Sequence, residues 1–144
     1  MRNSLAIKDY SKIQVSKEAL DVSEAELILK LYEKSCWSLL AASKSPINEM
    51  ETLGTQERVD LTAAFYEQTG NALQIIIALR DLLDLEQGGD IAQSLYSSYT
   101  AIANVLAKAS RDKKTSDLAK LYSAMSELKD AWMVVCSSEK NLSN

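Results

Sequence analysis

Chain breakers are almost missing from this sequence. Four glycines and one proline stand among 144 residues, where ordinary globular chains carry about 12% of the two combined. Sandwiches and barrels need such residues at every turn, so a chain this poor in them must hold long regular segments. The few breakers fall at Pro46, Gly54, Gly70 and the pair Gly88-Gly89. The expected fold is all-α: an antiparallel four-helix bundle, with residues 1–20 as an N-terminal arm or short extra helix. At this length one domain (1–144) buries roughly two-thirds of the surface of its unfolded chain, enough for a core without staples.

Apolar spacing places the helices. The first is expected over 23–43, opened by Ser23 and Glu26 in capping-box spacing. Leu27, Ile28, Leu31, Ser35, Leu39 and Ala42 share one arc, and Ala25, Leu29, Tyr32, Cys36 and Leu40 widen it to roughly 220°, more than a one-sided surface helix needs. Trp37 points the other way, among Glu26, Lys30 and Glu33. Pro46 ends the helix by removing an amide and disfavouring helical geometry at Ser45.

A second helix is expected over 55–86, with Thr55 as its cap and Gly70 inside it at a cost of about 1 kcal/mol relative to alanine. From Leu73 to Leu83 it is apolar nearly all round, the mark of a helix with partners on two sides. Gly88-Gly89 is read as its end, with Gly89 or Asp90 opening the next helix. That third helix (90–110) carries Ile91, Leu95, Tyr99, Ile102, Leu106 and Ala109 in steps of three and four. The fourth (116–137), capped by Thr115 or Ser116, carries Leu118, Leu121, Met125, Leu128, Trp132 and Val135, with Trp132 assigned to the core. Residues 138–144 are expected to be a flexible tail.

Composition removes most chemistry. The chain has no histidine, which excludes imidazole-based catalytic relays and zinc or di-iron sites that use His ligands. Its net charge of −4 and pI near 4.9 are opposite to the footprint of a phosphate-backbone binder, so nucleic acid is not expected as a partner. Cys36 and Cys136 form no Cys-x-x-Cys and read as reduced thiols. Gly88-Gly89 is followed by Asp90, whose charge would repel the phosphate that a glycine-rich loop holds. No apolar run reaches membrane-spanning length and the first residues lack a signal peptide's apolar core, so a cytoplasmic location without membrane insertion is expected. The expectation is a non-enzyme with no catalytic residues, no metal and no cofactor. Its surplus apolar helix surface suits a binding module or, alternatively, a self-associating structural or regulatory bundle.

Four segments add a resemblance. Leu83-Asp84-Leu85-Glu86-Gln87-Gly88-Gly89-Asp90-Ile91-Ala92, followed by Leu95 and Tyr99, closely resembles the signature of the flagellin-specific export chaperones of bacterial flagella. Ile7-Lys8-Asp9-Tyr10 with Gln14-Val15 looks like that family's N-terminal motif; Ser23, Leu27, Ile28, Leu31 and Tyr32 match its first helix. Leu128-Lys129-Asp130-Ala131-Trp132 is similar to its closing Leu-x-x-Ala-Trp. The chain departs from the pattern at Glu24, Glu33-Lys34-Ser35 and Ser98, and in a longer loop around Pro46.

The resemblance implies an antiparallel helical bundle that binds the disordered C-terminal segment of flagellin in the cytoplasm and prevents its premature polymerisation. It further implies delivery to the flagellar type III export gate. On the same ground Leu27, Leu31, Leu95 and Tyr99 are expected to line a flagellin-binding groove, with Ile7, Tyr10 and Val15 on an arm that lies over it as a lid.

Overall fold

A computed structural model describes residues 24–143, with side chains from 25 to 134. The arm, with Ile7, Tyr10 and Val15, and the expected Ser23 cap lie outside the described residues. Four helices follow in order: α1 (Glu24–Ser43), α2 (Thr55–Asp81), α3 (Gly89–Asp112) and α4 (Thr115–Ser143). Each packs on its neighbours in the chain, and α4 closes the ring by packing on α1. The tight α3–α4 turn makes those two helices antiparallel, and the longer α1–α2 loop returns beside that turn through Asn48, so the order is up and down. The fold is the all-α bundle that the spacing predicts.

The core runs through the middle of the ring. Leu27, Leu31 and Leu39 of α1, Phe65, Ile75 and Ile76 of α2, Leu106 of α3, and Leu118 and Met125 of α4 are all but sealed from solvent. Ser35 and Ser38 are buried as well, small side chains in the wide arc of α1. Ser35 spends its hydroxyl proton on the Tyr32 carbonyl. Trp37 is 58% exposed, with the Lys34 ammonium 5.2 Å from its ring centroid.

Helix ends depart from the sequence reading in instructive ways. α2 starts with Gly54 as its extended N-cap, so Thr55 is the first helical residue rather than the cap. At its other end α2 stops at Asp81, short of Glu86, with Leu82 as C-cap. The reason is Asp84, whose carboxylate accepts the amides of Glu86 and Gln87 and turns the chain before the apolar run is exhausted. Gly88 and Gly89 therefore belong to the entry of α3, with Gly88 as its N-cap, rather than to the exit of α2. α3 continues past residue 110 to Asp112 and ends on Lys113, a left-handed residue with φ 56°. The Lys114 amide, bonded back to the Ala109 carbonyl at 2.9 Å, closes that end. α4 runs through 138–143, the stretch expected as a tail; Glu139, Lys140 and Leu142 there favour helix even without an apolar stripe.

The loop after α1 is anchored. Ile47 inserts into the core at 2% exposure. Beside it, the Asn48 side-chain amide donates to the Lys113 carbonyl at 2.8 Å, tying the α1–α2 loop to the α3–α4 turn.

Candidate functional site

At the opposite end of the bundle the helices leave a groove of about 490 Å³. Ile28 and Tyr32 of α1 form one side, Leu79 and Leu82 with Leu83 close the end of α2, and Ile91, Ala92, Leu95 and Tyr99 of α3 form the other side. Trp132 of α4 completes the wall. Its indole N–H donates to the Ala25 carbonyl at 3.0 Å, which fixes the ring across the first turn of α1. Trp132 is thus half-buried, a groove wall packed against the core rather than a residue within it.

The α2–α3 turn sets the groove's rim. Asp84 holds the turn through the two amides it accepts, and its carbonyl accepts the Gly88 amide at 2.8 Å. Gly88 sits so close to the next turn that a Cβ there would lie 2.5 Å from the Ala92 Cβ. Gly89 takes φ +57°, a conformation glycine adopts without the cost a side chain brings. Ile91, one turn further, stands 76% exposed on the rim. Around this turn the side chains of Asp81, Asp84, Glu86 and Asp90 make the rim acidic. Arg80 pairs with one of these carboxylates, Asp81, at 3.3 Å, and its guanidinium lies over the Tyr96 ring at 5.2 Å.

The groove floor holds a polar pair. Tyr32 and Tyr99 lie across the bundle from each other, almost fully buried, with their hydroxyls hydrogen-bonded. Burial, with a smaller contribution from Cys36, holds the Tyr32 hydroxyl well above the ordinary phenol range. It therefore keeps its proton at neutral pH.

Of the residues expected at a binding groove, Leu95 and Tyr99 line this one. Leu27 and Leu31 do not: each is 1% exposed and belongs to the core beneath it. Their neighbours Ile28 and Tyr32 take the lining positions. Leu79 and Leu82 belong to the stretch of α2 that is apolar nearly all round, and Ile91 and Trp132 to single-sided stripes, so spacing alone reads all four as packing residues. The stripe itself was the available signal, since its upper part runs out of the core and into the groove.

Among the described residues, no group of three or more His, Cys, Asp or Glu is placed to hold a metal ion. No helix there is long and apolar enough to cross a membrane. The described helices thus form an up-and-down bundle with an open apolar groove at one end, a shape suited to receiving an amphipathic segment. The family described as Flagellar protein FliS matches residues 6–139, nearly the whole chain. A flagellar secretion chaperone FliS from Vibrio cholerae is 33% identical over 113 residues, covering 72% of this chain and 83% of the relative. A flagellar secretion chaperone FliSB from Pseudomonas aeruginosa is 27% identical over 127 residues, covering 88% and 92%. The chain belongs to the FliS family of flagellar export chaperones.

Proposed function

We propose that this protein holds the C-terminal segment of flagellin in the cytoplasm, keeps it from polymerising early, and presents it to the flagellar type III export gate. The observation that carries the reading is the open apolar groove, one side of which is formed by the signature-like segment from Leu83 to Tyr99. An amphipathic helix of flagellin lays its apolar face against Ile28, Leu82, Ile91, Leu95 and Trp132, and orders as it binds. Leu27 and Leu31 support the groove from behind. The N-terminal arm, through Ile7, Tyr10 and Val15, covers the groove when flagellin is absent and is displaced when it arrives.

Calorimetric titration of the full chain with the C-terminal segment of its cognate flagellin tests this. Binding is expected at micromolar Kd or tighter, which corresponds to about −8 kcal/mol or better, with a negative heat-capacity change from buried apolar surface. No heat at high micromolar concentration overturns it. For the arm, Tyr10→Ala is expected to change the affinity while leaving the melting temperature near its original value. The reverse pattern would assign Tyr10 to the fold alone.

A further inference from the structure

The hydroxyl pair at the groove floor has a proton left over. Two phenols carry two O–H protons, and only one can lie between the Tyr32 and Tyr99 oxygens. Among the described residues no other group is hydrogen-bonded to either hydroxyl, and the groove that Tyr32 and Tyr99 help to line is walled by Ile28, Leu79, Leu95 and Trp132. When the groove is open, water can accept that second proton. An occupant that displaces the water with a methyl group strands a donor in an apolar floor, whereas one that brings an acceptor restores the bond.

We infer that Tyr32 and Tyr99 together form a donor site that takes a main-chain carbonyl of the bound segment, one left without a partner where that segment's helix ends. This rests on the proposed function, in which the occupant is a flagellin helix. Within a helix the carbonyls are already bonded, but the last four have no partner in the helix itself. A helix ending over the tyrosine pair supplies the missing acceptor, and the pair then acts as its C-terminal cap. The site selects where along flagellin the bound helix stops, in addition to the apolar match of the walls.

The two hydroxyls share one outgoing proton, so either can serve when the other is removed. Calorimetry of Tyr32→Phe, Tyr99→Phe and the double variant against the flagellin segment separates the possibilities. Each single variant is expected to bind within about twofold of the original protein, and the double variant roughly three- to tenfold more weakly, the net effect of one hydrogen bond. The contact between the two tyrosines is already lost in either single variant. Weak binding confined to the double variant therefore reports the donor and not the pair's structural role. A double variant that binds like the original protein overturns the inference, as do single variants each as weak as the double. If the unmodified protein fails to bind flagellin at all, the proposed function falls and this inference with it.

Discussion

Replacing Gly88 by alanine tests how the groove's rim is built. The added Cβ would lie 2.5 Å from the Ala92 Cβ and 2.8 Å from the Asp84 carbonyl oxygen. Carbon atoms rest at about 3.5–4.0 Å, so the first contact alone asks for a shift of about 1 Å. Neither neighbour can swing aside: the Ala92 methyl has no rotamer, and the Asp84 carbonyl holds the Gly88 amide at 2.8 Å. Relief has to come from the backbone of the turn, at the roughly 1–3 kcal/mol typical of overpacking. Restricting the unfolded chain returns about 0.4–1 kcal/mol. A net loss of about 1–2 kcal/mol is expected, read as a lower urea midpoint at unchanged slope.

Gly89→Ala is the control, because nothing lies within 4 Å of its Cβ and only its φ of +57° resists the substitution. Asparagine tolerates that conformation and is expected to restore part of the loss at 89. It is expected to restore none at 88, where bulk is the obstacle. An unchanged midpoint for Gly88→Ala would refute the claim that close approach to Ala92 and Asp84 is what requires glycine there.

Gly70→Ala carries the opposite sign: its Cβ meets nothing within 4 Å and its site is mid-helix, so a gain of about 0.5–1 kcal/mol in urea unfolding is expected. Ile91→Ser on the exposed rim is expected to leave stability within about 0.5 kcal/mol while weakening flagellin binding in the same calorimetric assay. At high pH, Tyr32 and Cys36 act together. Burial raises both above their ordinary values of 10.0 and 9.0, so the unfolded chain loses these protons first. Their contribution is fully present below about pH 9 and is lost as pH climbs beyond it; Tyr32→Phe is expected to flatten the decline in a pH series of urea midpoints.

Periodicity alone located the helices and the buried arc of α1, and it pointed Trp37 outward, because core packing imposes a three- and four-residue step on any helix that joins it. It could not divide a stripe into core and groove. Ile91, Leu95, Tyr99 and Leu106 follow one rhythm, yet Leu106 is sealed and Ile91 stands in solvent. The difference lies in which helices end nearby, a property of the assembled bundle. The end of α2 was hidden for another reason. Leu82, Leu83 and Leu85 continue a helical spacing, and only the competition of the Asp84 carboxylate for two amides breaks it. Leu27 and Leu31 matched a family motif, but membership in a motif does not separate a contact surface from the residues that shape it.

The anchoring of Ile47 and Asn48 makes the bundle mechanically lopsided. Four helix ends are buckled together where the α1–α2 loop meets the α3–α4 turn, while the start of α1, the end of α2 and the start of α3 border the open groove. Local opening is expected to begin at the groove end, so amides near Ile28 and Leu95 exchange their hydrogens faster than those beside the fastened loop at Ile47.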